Sequence, residues 1–310
     1  MIAFVVRRLI LAVFVLWGVL TLSYALTCMA PGDVAETLVG QRADPEALAE
    51  IRAKLGLDRD PLTRYVLYLK SLLSGDWGVS SRYREPVWEL ILERFPRTAL
   101  LAFAALLFAA AVGVLFGMLS GIHAGTRLDR ALSLLSLAGI SAPVFWIGML
   151  LIWILSLQLR LLPPSGYESG DLRYLILPAL ALGLRSIALI TRITRVALIE
   201  VSHADFLRTA RAKGISPWAI HGKHALRNAA LPVVTVIGLD LGSYLSGSVL
   251  TEKVFSWPGI GRLMVDAILA RDLALINACV VFMAGLFILV NLMVDLCYGL
   301  IDPRIRRSQA

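Results

Sequence analysis

Residues 98–126 read TALLAFAALLFAAAVGVLFGMLSGIHAGT and contain no aspartate, glutamate, lysine or arginine. About 20 apolar residues in a helix cross the hydrocarbon layer of a bilayer, and this stretch is longer than that. The whole chain is 58% hydrophobic and only 17% charged, whereas a soluble domain needs a more polar surface. The stretch therefore predicts a membrane-spanning helix.

Five further stretches have a similar length and character, although three of them contain one charged residue. They are residues 9–30, 131–159, 174–191 with Arg185, 228–251 with Asp240, and 273–301 with Asp295. The stretch with Arg185 is the weakest of the five. Together the six stretches predict an all-α integral membrane protein with about six transmembrane helices.

The first apolar stretch follows Arg7 and Arg8, as the apolar core of a secretory signal peptide does. It is longer than the usual signal core and lacks a cleavage site of the small-x-small type. We therefore expect the stretch to be retained as a membrane anchor.

The basic residues are concentrated on one side of the predicted spans. The loops that share a side with both termini hold fourteen lysines and arginines against four acidic residues, whereas residues 31–97 hold ten basic and eleven acidic residues. Because basic residues stay in cytoplasmic loops, we expect both termini to be cytoplasmic and residues 31–97 to be extracytoplasmic. The excess is spread over separate short loops, which argues against nucleic-acid binding.

Enzyme and metal sites find little support in the sequence. Gly222-Lys223 lacks the earlier glycine of a phosphate-binding loop. The four histidines sit in or beside cytoplasmic loops and form no metal-binding pattern, and no cluster of catalytic groups lies at one membrane depth. An ion-driven secondary transporter would need ionisable residues clustered at mid-membrane and broken helices in matching halves, and neither is visible.

The extracytoplasmic segment predicts several short helices. Asp44-Pro45-Glu46 is typical of a helix start and Gly56 of a helix end, and residues 62–73 and 87–95 indicate two more helices. The segment is either a structural cap or a docking surface, and the sequence leaves both open.

The cytoplasmic loop 192–228 is the most informative part of the chain. A helix is predicted over 205–213, with Asp205 as N-cap and Gly214 as the residue that ends it, and Ser216-Pro217 starts a second helix. Spacing places Phe206 on one face with Ala210 and Lys213. Such a helix could lie in a groove of another protein or rest on anionic lipid head groups.

This loop resembles the "EAA" loop of binding-protein-dependent ABC permeases, and within them the dipeptide/oligopeptide/nickel family. Residues 205–214 read DFLRTARAKG and residues 224–232 read HALRNAALP. The general loop has Glu-Ala-Ala, three residues and glycine, whereas Arg208-Thr209-Ala210 precedes Gly214 in this chain. That departure and the longer gap after Gly214 resemble the peptide/nickel branch.

The resemblance covers nearly the whole chain. Further matching stretches, in order, are APGD at 30–33, LGLD at 55–58, GDWGVS at 75–80, Pro143 with Phe145-Trp146, LPPSG at 162–166, Phe255 with WPGIG at 257–261, Arg271-Asp272, NLMVD at 291–295 and DPRIR at 302–306. Each is weak by itself, and their shared order makes the resemblance specific.

The resemblance implies a subunit of an ATP-driven importer in the bacterial inner membrane. It would work with a second homologous permease, two ATPase subunits that bind ATP and Mg, and an extracytoplasmic substrate-binding protein, and it would bind no cofactor itself. Dipeptides, longer peptides, glutathione and nickel chelates are all handled within the family. The implied organisation is a first span (1–30), an outer helical segment (31–97), a permease core of five spans (98–301) that includes loop 192–228, and a cytoplasmic tail (302–310).

Three groups of residues are candidate sites under this interpretation. The coupling residues, which would dock into an ATPase subunit, are Asp205, Phe206, Arg208, Thr209, Ala210, Arg211, Ala212 and Gly214. The residues of an outer gate or binding-protein contact are Glu252, Phe255, Trp257, Pro258, Gly259 and Gly261, unless that loop is only a rigid turn. Asp240 is the pathway candidate, since charge inside a membrane marks a pathway or a buried partner, whereas Asp295 is expected to be structurally paired.

Overall fold

The computed structural model describes residues 2–29, 49, 58–202, 204–216 and 219–301. In chain order the helices are α1 (Ile2–Met29), α2 (Pro61–Leu73), α3 (Val87–Ile122), α4 (Arg127–Ser141), α5 (Val144–Leu151), α6 (Arg173–Ser202), α7 (Asp205–Ala212), α8 (Leu226–Leu245), α9 (Val249–Val254), α10 (Ile260–Leu269) and α11 (Leu273–Ile301). Two π-helical segments are also present: Ile152–Gln158 comes after α5, and Ile220–Ala225 comes before α8. Within these ranges the β-structure is limited to one isolated bridge between Val79 and Pro86.

Four described helices, α1, α3, α6 and α11, are long and apolar enough to cross a membrane. The bent pair of α4 with α5 and its π-helical extension supplies a fifth candidate, and α8 contains a shorter apolar helix. These helices fall on the six predicted stretches, so the all-α membrane fold is confirmed. Six as the number of spans stays a prediction.

The outer helix predicted at residues 87–95 and the span predicted from residue 98 are one continuous helix, α3, which passes through Pro96. A proline inside a helix removes one backbone hydrogen bond. Burial on both sides of Pro96 holds the two halves together: Val87 and Ile91 pack against α10 and α11, while Leu101 and Ala102 pack in the core with α6 and α8. The expected boundary at 97/98 therefore lies inside a helix.

A second outer helix lies where the sequence predicts one. The predicted helix at 62–73 is confirmed as α2, which Pro61 begins and which Asp60 caps by accepting a hydrogen bond from the Thr63 N–H at 3.0 Å. Of the helix predicted from Asp44 to Gly56, the structure describes only Ala49, which is helical.

The span predicted at 131–159 is broken rather than straight. Its two parts meet at an angle of 106°. The break falls at Ala142, whose extended backbone (φ −82°, ψ 132°) ends α4 just before Pro143. A residue before proline is pushed out of the helical region by the proline ring, and this accounts for the position of the bend.

Glycines let α3 and α6 approach closely. Gly113, Gly117 and Gly121 recur every fourth residue, so they form one stripe along α3. A Cβ atom on Gly117 would lie 2.4 Å from Cβ of Thr194 on α6. Small residues at this spacing let the backbones of membrane helices pack together, and this stripe joins the two helices at the centre of the bundle.

Helices α3, α6, α8 and α11 enclose the main apolar core, into which the loop residue Trp257 also inserts. Helix α1 lies at the edge of the bundle against α11. There Arg8 forms an ion pair with Asp295 at 2.7 Å, which is the structural pairing expected for that intramembrane carboxylate.

Candidate functional site

The coupling segment, residues 204–216, is held to the bundle by one apolar face of α7. Leu207 has no exposed surface, and with Ala210 it packs against Met118 of α3 and Leu198 of α6. Burial of a leucine side chain stabilises a structure by about 1.5–3 kcal/mol relative to exposure. The segment is therefore fastened to both helices near their C-terminal ends.

The end of α7 forms a Schellman motif. The Ile215 N–H donates to the Ala210 carbonyl oxygen at 3.3 Å, and Gly214 between them has φ +72°. This left-handed conformation favours glycine, as the sequence predicted for this position. Ile215 packs against the same apolar cluster as Ala210, so the turn is fixed from both sides.

The starts of α7 and of the helix predicted after Ser216 agree in part with the sequence prediction. Asp205 is the first residue of α7 rather than its N-cap, a shift of one residue. The Ser216 hydroxyl accepts a hydrogen bond from the Ala219 N–H at 3.4 Å, in keeping with the predicted cap. A π-helical segment then leads into α8, and Pro217 lies outside the described residues.

The outer face of α7 is exposed. Phe206 is 43% exposed, although the neighbouring Leu207 is fully buried. The other exposed residues of the coupling set are Asp205, Arg208, Thr209, Ala212 and Gly214. Ala210, predicted to share a face with Phe206, is buried in the chain's own core, and the side chain of Arg211 is outside what the structure describes.

The outer loop, residues 248–272, is built around a buried glutamate. Glu252 has no exposed surface, and its carboxylate accepts hydrogen bonds from the Thr98 hydroxyl at 3.0 Å and the Arg262 N–H at 3.0 Å. Thr98 in turn accepts from the Ile260 N–H at 2.8 Å. Burial raises the pKa of the Glu252 carboxyl, because the apolar surroundings disfavour its charged form.

The glycines of the loop make room for this carboxylate. A Cβ atom on Gly259 would lie 2.4 Å from Oγ1 of Thr98 and 2.5 Å from Oε2 of Glu252. On Gly261 it would lie 2.8 Å from the Val249 backbone. The two glycines of the Pro-Gly-Ile-Gly stretch are thus required because the backbone passes very close to its neighbours around the buried glutamate.

Two aromatic residues fasten the same loop to the bundle. Trp257 is buried and its Nε1–H donates to the Arg97 carbonyl oxygen at 2.9 Å. Phe255 is buried against Leu177 of α6, and its carbonyl oxygen accepts from the Gly166 N–H at 2.8 Å. The loop is therefore hydrogen-bonded to α3 and to the loop before α6, and it packs against α6.

Most residues of the predicted outer gate are buried in the structure. Five of its six residues, Glu252, Phe255, Trp257, Gly259 and Gly261, are buried inside the chain, and Pro258 is half-buried. Their side chains are not available for direct contact with another protein in this structure, because they bond the loop to the core. The exposed residues of the loop are Leu250, Lys253, Ile268, Leu269 and Arg271.

A second buried carboxylate joins two stretches that are distant in sequence. Asp272 accepts hydrogen bonds from the Ser80 hydroxyl at 2.5 Å and from the Arg82 N–H at 3.2 Å. It also accepts from the Leu275 N–H at 3.2 Å, at the start of α11. Two stretches that separately resemble the family, GDWGVS at 75–80 and Arg271-Asp272, are thus in contact with each other in the structure.

Three cations converge on Asp266 at the exposed edge of this loop. Lys253 Nζ lies 3.0 Å from Asp266 Oδ1, and Arg262 Nε lies 3.8 Å from Oδ2. Arg82 donates to the Asp266 carbonyl oxygen at 3.0 Å. The Asp266 carboxylate thus faces two cations, and the third binds the backbone of the same residue.

The intramembrane charges of α6 and α8 lie together. Arg185 and Ser186 on α6 are the charged and polar neighbours of Asp240 on α8. The Tyr244 hydroxyl bonds to the Ser186 hydroxyl and to the Leu182 carbonyl oxygen. Helices α6 and α8 thus share a polar group within the bundle.

One ion pair between α4 and α6 was missed by sequence reasoning. Arg195 of α6 binds Asp129 of α4 through two hydrogen bonds of 2.6 and 2.9 Å. The same carboxylate accepts from the Ser120 hydroxyl and the Gly125 N–H. The sequence offered only the charge of Asp129 among basic loop residues, with no spacing that would pair it with a helix 66 positions away.

Comparison with known families gives two matches that together span most of the chain. The model described as "Binding-protein-dependent transport system inner membrane component" matches residues 113–307. The model of the corresponding N-terminal region matches residues 1–102.

Individual relatives match over the full length. The chain is 42% identical to a di/tripeptide transport system permease protein of Pseudomonas aeruginosa and 40% identical to a dipeptide transport system permease protein of Escherichia coli, and each match covers 100% of both chains. It is 39% identical to a glutathione transport system permease protein of Escherichia coli, over 99% of both chains.

The fold also resembles a solved membrane protein. An inward-facing structure of the MetNI methionine ABC transporter superposes with a TM-score of 0.61 at 19% identity, covering 70% of this chain and 99% of the other. At that identity the likeness concerns the fold alone, and it supports the permease architecture expected from the sequence.

Proposed function

Because the chain belongs to the family of binding-protein-dependent transport system inner membrane components, we propose that it is a permease subunit of an ATP-driven importer of di- and oligopeptides. The resemblance to the peptide/nickel branch is confirmed by the family matches and by the full-length peptide permease relatives. A glutathione permease is nearly as similar, so import of glutathione, itself a peptide, is the second candidate. Nickel chelates have support only from the wider family.

The observation that carries the proposal is the construction of the coupling segment. Helix α7 is fastened to α3 and α6 by Leu207 while Phe206 projects from its other face. A short helix with a buried anchor and an exposed aromatic side chain fits a groove on another protein. We propose that this face docks into an ATPase subunit, which binds ATP and Mg, and that closure of two such subunits moves α3 and α6.

The remaining partners belong to the same proposal. A second, homologous permease would complete the pathway, and an extracytoplasmic binding protein would deliver the substrate. Both termini would be cytoplasmic, in the bacterial inner membrane. The exposed cations of the outer loop, Lys253 and Arg271, would contact the binding protein, while the buried residues around Glu252 keep the loop in shape.

We assign the pathway to the face of the bundle that carries Asp240. A charged residue within a transmembrane segment faces a bundle interior or a water-filled cavity. Asp240 lies on α8 beside the polar residues of α6, whereas the other intramembrane carboxylate, Asp295, already pairs with Arg8.

The test is co-expression of the tagged chain with its genomic neighbours, followed by purification in detergent and an ATPase assay. Wild type is expected to retain ATPase subunits, and Phe206→Ala to lose them, since a buried aromatic anchor at an interface contributes roughly 2 kcal/mol or more. Leu250→Ala is the matched control, an exposed apolar residue on the outer loop. If no ATPase subunit accompanies the wild-type chain, the importer proposal is wrong and an ion-driven carrier becomes the better hypothesis.

The alternative for the coupling segment is contact with lipid. In that case Phe206→Ala would leave the ATPase subunits bound and would weaken only the association with anionic vesicles. Gly214→Trp is a second variant that separates ATPase docking from lipid contact. Because the φ of +72° at Gly214 disfavours any side chain, the substitution distorts the turn without touching Phe206.

A further inference from the structure

Two adjoining cavities lie at the edge of the bundle, where α1, α2 and α11 meet. The first, which we call the apolar groove, lies between α1 and α11 and has a volume of about 410 Å³. The second, the polar cavity, extends to α2 and the turn after it and has a volume of about 430 Å³. Thr27, Leu273 and Asn277 line both, so the two spaces adjoin. Each volume falls within the roughly 300–1,000 Å³ that is usual for ligand sites.

The apolar groove follows one face of each of its two helices. The lining side chains recur at intervals of three and four residues, a spacing that keeps them in line along a helix: Val19, Leu22 and Leu26 on α1, and Leu273, Ile276 and Val280 on α11. Seven residues of helix rise about 10 Å, which sets the length of this lining. Leu22 and Leu26 are exposed, so the groove opens to the outside of the bundle. A long apolar groove that is open toward lipid suits an acyl chain.

The polar cavity contains one cation and one anion. Of the residues that line it, Arg64 of α2 and Asp76 are charged, and both are at least partly exposed, so a ligand in the cavity can reach them. Asp76 accepts a hydrogen bond from the Gly78 N–H at 3.0 Å, and neither charge takes part in an ion pair within the described part of the chain. The Asp76 N–H donates to the Ser71 carbonyl oxygen at 3.0 Å, which fixes the carboxylate at the end of α2. The cavity therefore matches a group that has both a negative and a positive charge.

Helix α2 places the polar cavity at the membrane surface. Its 13 residues extend only about 20 Å, too short to span a bilayer. Leu62, Val66 and Leu73 are each more than half exposed and lie on one face, opposite the face that lines the cavity. An amphipathic helix with such a face lies in the membrane interface. The Tyr65 hydroxyl bonds to the Thr21 hydroxyl at 2.6 Å and so holds α2 against α1.

We propose that the apolar groove and the polar cavity together bind one molecule of phosphatidylethanolamine, with its phosphate at Arg64, its ammonium at Asp76 and an acyl chain in the groove. The arginine fork suits phosphate, and a carboxylate accepts hydrogen bonds from an ammonium. Phosphatidylglycerol has no positive charge and would leave Asp76 beside an anion. The parts of the site follow the order of the parts of the lipid, with the charges at α2 and the apolar face along the spans.

The lipid would act as a structural ligand of the chain. It fills the space between α1 and α11 and the space behind α2, so it binds the folded state and stabilises it by mass action. The site lies at the edge of the bundle and does not depend on the importer function. Its test therefore needs no transport.

The experiment uses the full chain, freed of lipid in detergent and titrated with phosphatidylethanolamine or phosphatidylglycerol, with binding measured by native mass spectrometry. Wild type is expected to prefer phosphatidylethanolamine. Arg64→Gln should weaken the binding of both lipids about tenfold, because a hydrogen bond to a charged group contributes a factor of this size. Asp76→Asn should remove the preference between the lipids, and Arg64→Lys should recover part of the affinity. Lys70→Gln is the matched control, an exposed cation of α2 that does not line the cavity.

The apolar groove is tested separately. Leu26→Trp fills it and is expected to weaken the binding of both lipids without changing the preference between them. Val13→Trp is the control, because Val13 is as exposed as Leu26 on the same helix and lines neither cavity. Glycerophosphoethanolamine, which is the headgroup without acyl chains, should bind much more weakly than the lipid. Unfolding midpoints without lipid should be the same for all variants, which separates loss of the site from loss of the fold.

Three results would overturn the proposal. One is equal affinity of the wild type for the two lipids. Another is binding by Arg64→Gln within about threefold of wild type, a difference too small for a lost charged contact. The third is lipid that binds the isolated chain and is missing from a complex with a second permease subunit, which would assign the groove to the interface between subunits. Failure of the importer function is a different result, because it would leave lipid binding unchanged.

Discussion

The coupling segment and the outer loop are both short helical elements between predicted spans, and both contain glycine at a turn. They nevertheless use the residues that resemble the family in opposite ways. In the coupling segment Leu207 and Ala210 are buried while most of the predicted docking residues are exposed. In the outer loop nearly every residue that resembles the family is buried. Similarity to a family therefore identifies residues that matter, and burial decides whether they meet a partner or hold the chain together.

The bonds that hold the two elements differ as well. The outer loop is bonded to α3 through Glu252, Thr98 and Trp257, each by a hydrogen bond with a defined direction. Helix α7 is held by apolar packing, which is non-directional. The outer loop is thus fixed to α3 by directional bonds, whereas α7 rests on an apolar cluster.

The largest effect should come from filling the space around the buried glutamate. Gly259→Ala would place a Cβ atom 2.4 Å from Thr98 Oγ1, and it is expected to destabilise the protein by about 3 kcal/mol or more. Thermal unfolding in detergent measures the loss. Gly285→Ala on α11 is the control, because a Cβ there meets nothing within 4 Å.

If Gly259→Ala unfolds at the wild-type temperature, the outer loop is not held as described. A loop that shifts easily would then resemble the coupling segment, and the contrast between the two elements would disappear.

The next largest effect separates the two faces of α7. Leu207→Ala removes a fully buried side chain and is expected to cost about 2–5 kcal/mol. The neighbouring Phe206→Ala should cost less than about 1 kcal/mol, because a surface substitution away from packed features has a small effect. Unfolding midpoints for the two variants, measured on the chain without ATPase subunits, check the expectation.

A reversal of this order would mean that Phe206 is the residue holding α7. The exposed aromatic face would then be no docking surface, and the coupling proposal would lose its main support.

Much of the difference between the coupling segment and the outer loop could not be predicted from the sequence, for a physical reason. Apolar length located the long helices, and the left-handed Gly214 could be predicted from helix-end chemistry. The burial of Glu252 could not be foreseen, because a glutamate in a loop is ordinarily exposed and its donor Thr98 is 154 positions away. The continuous α3 was missed because Pro96 ordinarily ends a helix, while its burial on both sides depends on distant elements.

A smaller effect tests one bond of the outer loop. Trp257→Phe keeps most of the buried ring and removes the Nε1–H that donates to the Arg97 carbonyl oxygen. Losing this one hydrogen bond should cost about 0.5–1.5 kcal/mol, because the Arg97 carbonyl keeps its bond within α3. The measurement is again the unfolding midpoint, with Trp153→Phe, an exposed tryptophan on the π-helical segment, as control. Equal shifts in the two variants would show that the bond contributes nothing specific.

The smallest effect on stability is expected at Lys253, a residue of the outer loop that is exposed, as most of the predicted docking residues of the coupling segment are. Lys253 is exposed and pairs with Asp266 at 3.0 Å, and such surface pairs contribute about 0–1 kcal/mol. Lys253→Ala should therefore leave the unfolding midpoint unchanged. It should also lower stimulation of the ATPase by the binding protein, and more so at low salt, since screening weakens charge attraction between proteins. Loss of stimulation without loss of stability would show that one loop holds both kinds of residue, with the buried ones keeping its shape and an exposed cation meeting the partner.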